Sequence, residues 1–304
     1  MSVGWRQFKV LESGQNFTDF QKTAAQWITF ASGEFYPDIL QQARELYQPV
    51  QVLFGQTLER SDTSEALLSA IAEVSEPWMR VQLCRIFRKF VSPTLPVEML
   101  KRKTALPTIL AEYGNEFRAL PEVHARFKER PCPDEVLCAL LWEYKDRGKR
   151  GYDLTERFFR RFAVEFPQFK LEGPIRGGKD ILLHNHLPGY VNKTRPVDFV
   201  IYRKKTLAGI GFAHYDSDRG GSQEDSRIGE YRNAADEINR YLGGNPSGVK
   251  ILFLNDGPGL LLGSMWRDYG MLEQSGDNIL VFTLRMMNQR FTKDWLLSRK
   301  SLGS

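Results

Sequence analysis

The chain has 304 residues, of which 42% are hydrophobic, and it carries a formal net charge of +5 with a pI near 9.0. These values exclude an intrinsically disordered protein, and the length favours two domains. The three cysteines include no closely spaced pair, which argues against structural zinc and predicts thiols in a reducing compartment. Because neither a signal peptide nor a membrane-spanning apolar run is visible, we expect a cytoplasmic protein without a membrane partner.

Helical periodicity dominates the first half of the chain. Apolar residues recur at helical spacing in 36–47, 64–74 and 78–90, and Asp134 is placed to cap a further helix over 134–144. We therefore predict an α-helical N-terminal region over residues 1–150.

Basic and aromatic residues interleave over 145–161, at the end of this region. One interpretation is a face that binds phosphates. The other is an amphipathic helix with its phenylalanines in the core and its arginines in water. The sequence leaves both interpretations open.

From residue 173 onwards, turns, short apolar runs and helices alternate. The predicted strands are 181–186, 196–203, 207–215, 249–254 and 279–284. A helix is predicted after the loop 216–222 and ends at about Leu242. Adjacent strands followed by alternating helices and strands predict an α/β domain over 151–304, with a mixed β-sheet flanked by helices.

Acidic residues lie at the ends of two neighbouring predicted strands. Asp198 opens the first strand, whereas the period of two places His214 and Asp216 on one face at the end of the second. Glu224 lies just inside the helix that follows. Two carboxylates can hold Mg²⁺, which activates water and stabilises the leaving oxygen in phosphodiester hydrolysis. We therefore predict that Asp198, Asp216 and Glu224 bind metal and act in catalysis, and that His214 orients water or phosphate.

These residues resemble the core of the PD-(D/E)XK nucleases, and specifically a type II restriction endonuclease. The resemblance lies in the strand–strand–helix order and in four stretches, at 195–200, 215–225, 255–260 and 263–266. It covers about residues 150–304 and leaves the N-terminal half unassigned. It implies a restriction-endonuclease-like core, Mg²⁺ as cofactor and site-specific hydrolysis of double-stranded DNA.

The second half of the family motif differs in this chain. The family has an acid, any residue and a lysine on the second strand, but this chain has Phe-Ala-His at 212–214. The missing carboxylate is then supplied by Asp216, or by Glu224 or Asp225 from the helix. The alternative function is a DNA-binding subunit of a restriction complex that keeps the nuclease fold but does not cut. A third is an RNA or repair nuclease of the same fold.

Basic and amide side chains around these elements are the predicted DNA contacts, because both types can bind bases or phosphates. They are Lys179, Arg219, Gln223 and Arg227. Because a duplex has two strands, we expect a homodimer or a heterodimer with a related subunit. Residues 1–150 are expected to provide contacts that hold DNA or contacts between the subunits of a dimer.

Two other short motifs match enzyme signatures only by their letters. His-Asn-His at 184–186 is contiguous, whereas HNH nucleases spread these residues over a hairpin and a helix. Gly-Gly-Lys at 177–179 lacks the first glycine and the closing serine or threonine of a phosphate loop. We therefore predict neither an HNH site nor an ATP site.

Overall fold

The computed structural model describes residues 16–31, 33–145, 149–175, 181–216, 222–244 and 248–298, with only the backbone at 149–152, 222–225 and 244. Contacts divide the chain into two compact units. Of the described residues, 33–145 form one unit, whereas 16–31 join 149–298 in the other. This division lies close to the predicted boundary at residue 150, but it places residues 16–31 with the sheet and not with the N-terminal region.

The described N-terminal segment packs into the unit that contains the sheet. It forms a 3₁₀ helix, Phe17–Thr23, and the short helix α1, Ala24–Trp27. Phe17 stacks on Trp266 with ring centroids 4.4 Å apart, and Trp266 Nε1 donates to the Phe17 carbonyl oxygen at 2.9 Å. Because these contacts join residues far apart in sequence, local periodicity does not reveal them.

The unit of residues 33–147 is helical over its described residues, as predicted. Its helices are α2 (Leu40–Glu59), α3 (Ser64–Ala72), α4 (Pro77–Phe90), α5 (Val97–Leu100), α6 (Leu106–Tyr113), α7 (Leu120–Lys128) and α8 (Glu135–Trp142). Short 3₁₀ turns cover Lys103–Ala105 and Gly114–Glu116. The Asp134 carboxylate accepts from the backbone N–H groups of Val136 and Leu137, so the predicted cap of α8 is confirmed. Tyr47, Phe54 and Phe87 are buried in its core.

Helix α9, Lys149–Glu165, crosses the basic and aromatic segment. Phe158 and Phe162 lie in the core of the sheet unit. On the rest of the helix, arginines pair with acids one turn away at 2.5 to 2.8 Å: Arg157 with Asp153, Arg160 with Glu156 and Arg161 with Glu165. These pairs offset the positive charge locally, so the structure favours the amphipathic helix over the phosphate-binding face.

The strands are β1 (Lys170–Glu172), β2 (Ile181–Leu182), β3 (Pro196–Val197), β4 (Phe199–Arg203), β5 (Thr206–Tyr215), β6 (Lys250–Asp256) and β7 (Ile279–Phe282). Among the described residues, five of them form one sheet in the order β1-β4-β5-β6-β7. The pairs β1–β4 and β4–β5 are antiparallel, whereas β5–β6 and β6–β7 are parallel. β2 and β3 pair separately. The predicted mixed α/β sheet is therefore confirmed.

Helices flank this sheet. They are α10 (Ser222–Gly244), α11 (Met265–Gln274), α12 (Met287–Arg290) and α13 (Lys293–Leu297), with 3₁₀ turns at Leu183–Asn185, Pro258–Leu261 and Leu284–Met286. The predicted strand 181–186 is wrong beyond Leu182, where a 3₁₀ turn replaces it. Within the described ranges, no helix combines the length and apolar character needed to cross a membrane.

Candidate active site

The candidate site lies where β4, β5 and β6 meet one edge of the sheet, here named the carboxyl edge. Because β5 and β6 are parallel, both end at this edge, and the antiparallel β4 begins there. Asp198 immediately precedes β4 and Asp216 immediately follows β5. Across the β5–β6 ladder, His214 pairs with Asn255. The predicted residues Asp198, His214 and Asp216 therefore come together at this edge.

Aromatic packing identifies the face of the sheet on which the site lies. Phe212 of β5 stacks on Phe253 of β6 with centroids 5.2 Å apart, and Tyr231 of α10 contacts both rings. Alternate residues of a strand share a face. His214 and Asn255 therefore follow Phe212 and Phe253 on the side covered by α10.

Asp216 has two differently used carboxylate oxygens. Its side chain is only 2% exposed, and Oδ1 lies 2.7 Å from Arg227 Nη1 and 3.1 Å from His214 Nε2. Oδ2 is buried and has no hydrogen-bond partner within the described part of the chain. A buried, unpartnered carboxylate oxygen is costly, so this atom lacks a compensating contact.

Arg227 therefore has a contact that the sequence analysis did not predict. It was predicted to bind DNA, and its guanidinium forms an ion pair with Asp216 across the start of α10. Its side chain remains 27% exposed. The two residues are eleven positions apart on either side of a loop, and that spacing gives no periodic signal of a contact.

Asp198 is held at the same edge by the backbone of β5. Its Oδ2 accepts from the Ala213 N–H at 2.8 Å, and the side chain is half-buried. Burial raises the pKa of Tyr231, the nearby carboxylates of Asp198 and Asp216 raise it further, and Arg227 opposes them. The phenol of Tyr231 is therefore close enough to Asp198 and Asp216 to interact with both carboxylates electrostatically.

Two glycines allow the chain after β6 to wrap closely around Asp216. Gly257 has φ of 108°, and a Cβ there would lie 2.2 Å from the Asp216 carbonyl oxygen. The Gly259 N–H donates to the same oxygen at 2.9 Å, and a Cβ on Gly259 would lie 2.7 Å from the Asp216 Cβ. The glycines of the 255–260 stretch are therefore required by close approach.

Asp256 is a second buried acid at the carboxyl edge, and its contacts are complete. Its Oδ1 accepts from the backbone N–H groups of Thr29 at 2.6 Å and Gly257 at 2.8 Å, and its Oδ2 accepts from that of Leu284 at 3.0 Å. Burial raises the pKa of Asp256, although these three N–H groups oppose the shift. This acid ties the N-terminal segment and the chain after β7 to the sheet.

The remaining predicted site residues cannot be placed at the edge. Lys179 and Arg219 lie outside the described residues, as do the side chains of Gln223 and Glu224, whose backbone forms the first turn of α10. In the described ranges, no group of three or more His, Cys, Asp or Glu side chains is arranged to hold a metal. Mg²⁺ commonly binds through only one or two carboxylates and keeps several waters. Asp216 Oδ2 is a carboxylate oxygen, the type of ligand atom that such an ion prefers.

A separate basic groove lies on the helical unit between α4 and α8. Arg85, Arg88 and Lys89 line it together with Leu140 and other apolar side chains of α8. The Arg85 guanidinium lies 4.7 Å from the centroid of the Tyr144 ring, and Arg88 Nε donates to a backbone carbonyl. The groove therefore presents positive charge beside apolar surface.

The chain was compared with known proteins in three ways. A scan against protein-family models and searches of curated proteins and of solved structures found no significant match. The chemistry of the carboxyl edge is therefore the basis for assigning a function.

Proposed function

We propose that this chain is a Mg²⁺-dependent endonuclease that makes site-specific cuts in double-stranded DNA, as type II restriction enzymes do. The observation that carries the proposal is the buried Asp216 carboxylate, which has one unpartnered oxygen at a sheet edge shared with Asp198 and His214. A hard divalent cation is the ligand that such an oxygen binds best.

The order of elements supports the same proposal. β4, β5 and α10 follow one another along the chain, and Asp198 stands directly before β4. This is the strand–strand–helix order, with an acid opening the first strand, on which the resemblance to the PD-(D/E)XK nucleases rests. We propose on this basis that the sheet unit has a restriction-endonuclease-like core.

Each residue at the edge has a defined task in this proposal. Asp198 and Asp216 would hold Mg²⁺, with Glu224 as the further candidate ligand, and the bound ion would supply an activated water and a stabilised leaving oxygen. His214, whose side chain is 32% exposed, would orient water or phosphate. Tyr231 of α10 interacts electrostatically with both carboxylates, which help to raise the pKa of its phenol.

A non-cutting DNA-binding subunit is the second candidate, and one contact favours it. Both Arg227 and His214 lie against the same oxygen of Asp216, and Arg227 supplies positive charge where a metal ion would bind. The strand also lacks the acid and lysine of the family motif at 212–214. In this case the protein would keep the nuclease fold and bind DNA, but the carboxyl edge would not hydrolyse the phosphodiester bond.

A cleavage assay separates the two candidates. Purified protein is incubated with unmethylated phage DNA, with Mg²⁺ or with EDTA, and the products are separated on a gel. We expect discrete fragments that require Mg²⁺. The Asp198→Asn variant should abolish cleavage while folding and DNA binding persist, and the exposed Asp236→Asn on α10 is the matched control. Uncut DNA that still shifts in a binding gel would support the non-cutting subunit.

We propose double-stranded DNA as the partner and the cytoplasm as the compartment. A homodimer, or a pair with a related subunit, would bring one site to each strand of the duplex. We propose the basic groove of Arg85, Arg88 and Lys89 as a DNA-binding surface of the helical unit. The charge-reversing pair Arg88→Glu and Lys89→Glu should weaken DNA binding and reduce its salt dependence.

A further inference from the structure

Asn255 is a second polar group at the carboxyl edge whose bonding is incomplete. It is 0% exposed, and among the described residues neither its Oδ1 nor its Nδ2 has a hydrogen-bond partner. A buried amide that makes none of its hydrogen bonds is destabilising, and such groups are rare in folded proteins. The residue therefore needs an explanation other than packing.

The part of β6 that precedes Asn255 is buried and apolar except for Lys250. All seven residues of β6 are buried, and the run before Asn255 is Ile-Leu-Phe-Leu. A leucine at this position would continue that run and remove the two unsatisfied atoms of the amide. Positions where a sequence breaks such a local rule are commonly functional.

The position of Asn255 joins it to the proposed metal site. Its Cα pairs with that of His214 across the β5–β6 ladder, and it lies on the α10 face two residues after Phe253. Asp216 follows β5 by one residue at the same edge, and its Oδ2 is also buried and unpartnered. Two incomplete polar groups thus occupy the ends of adjacent strands.

We infer that Asn255 is a metal-binding residue, which supplies a neutral amide oxygen to the divalent cation held by Asp198 and Asp216. An amide oxygen is a hard ligand suited to Mg²⁺ and Mn²⁺, and it adds a donor without adding negative charge. This inference rests on the proposed function.

Mn²⁺ binding together with thermal unfolding tests the assignment. Free Mn²⁺ is followed by electron paramagnetic resonance in the absence of DNA, for the wild type and for Asn255→Leu, Asn255→Ala and Asn255→Asp. We expect the leucine and alanine variants to bind Mn²⁺ about tenfold or more weakly, and the aspartate variant to retain binding. Asn255→Leu should also unfold at the same or a higher temperature, because it removes two unsatisfied buried atoms.

Asn278 provides the matched control. Its Nδ2 donates to Asn239 Oδ1 at 2.8 Å, so Asn278→Leu should lower the unfolding temperature and leave Mn²⁺ affinity unchanged. If both Asn255→Leu and Asn255→Ala bind Mn²⁺ as the wild type does, the assignment of Asn255 is wrong while the proposed function stands. If the wild type neither binds Mn²⁺ nor cuts DNA, the proposed function fails and the assignment fails with it.

Discussion

Two buried aspartates lie at the ends of adjacent parallel strands, and their carboxylate oxygens differ in how many partners they have. Asp256, at the end of β6, accepts three backbone N–H groups on its two oxygens. Asp216, directly after β5, shares one oxygen between Arg227 and His214, and its other oxygen has no partner within the described ranges. The first arrangement is complete without a ligand and the second is not.

This difference suggests different roles for two acids at the same edge of the sheet, one structural and one functional. A carboxylate whose acceptors are filled by the backbone fixes the chain, because removing it leaves those N–H groups unsatisfied. A carboxylate with an unpartnered oxygen costs stability that a bound cation would restore. We therefore assign a structural role to Asp256 and propose a metal-binding role for Asp216.

The largest expected effect is the loss of DNA cleavage caused by the substitution Asp216→Asn. This change keeps the shape of the side chain but removes the charge that would hold the cation. We expect the rate of DNA cleavage to fall by about 10³-fold or more, which is roughly 4 kcal/mol in the barrier. The unfolding temperature should fall less than in Asp256→Asn, because this change loses the ion pair with Arg227 but no backbone N–H partner. Gel-based rates and circular dichroism check both, and a variant that cuts at nearly the wild-type rate would contradict the role of Asp216.

The next largest effect is on stability in Asp256→Asn. The amide nitrogen of the new side chain would face a backbone N–H that now donates to a carboxylate oxygen. We expect the free energy of unfolding to fall by about 2 kcal/mol or more. Urea unfolding of this variant beside Asp216→Asn sharpens the comparison. Equal losses in the two variants would show that the acids are not distinct.

A smaller effect is expected from Arg227→Gln. Removing a positive charge from beside Asp216 lowers the repulsion of an incoming cation, so Mn²⁺ should bind about fivefold more tightly. Arg195→Gln is the control, because Arg195 pairs instead with Glu237 on α10. Weaker Mn²⁺ binding by Arg227→Gln, measured by paramagnetic resonance, would mean that the arginine assists the cation.

The smallest effect concerns pH and Asp256. Because its pKa is raised in the folded protein by burial, the folded state binds a proton more tightly than the unfolded state does. Stability from this group is therefore present below the unfolded pKa of about 3.9 and is lost as pH rises through the folded pKa. The wild type should thus gain stability relative to Asp256→Asn as pH falls through that window. Urea unfolding at several pH values checks this, and a constant difference would contradict it.

The sequence alone predicts the elements that form the edge. β5 was expected at 207–215 and lies at Thr206–Tyr215, and the helix after the loop was expected to end near Leu242 and ends at Gly244. β5 is predictable because its apolar run begins after the Lys204-Lys205 turn and ends before a loop that contains two glycines. Because Asp198, His214 and Asp216 flank or end these strands, their shared position was also predictable.

The contacts that distinguish the two aspartates were not predictable. Asn255 and Asp256 precede glycine and proline, so they read as a turn, but parallel pairing with β5 extends β6 through both. The bond from Thr29 to Asp256 spans 227 positions and leaves no local signal. Long-range pairing, rather than local propensity, decides which acid is satisfied.

The most direct test of the central claim is the location of a bound cation. Crystals grown with Mn²⁺ would be measured at a wavelength where manganese scatters anomalously. We predict a peak within about 2.5 Å of Asp216 Oδ2, on the α10 face of the carboxyl edge, and none beside Asp256. No peak at Asp216, with its Oδ2 bonded instead to protein groups, would contradict the account.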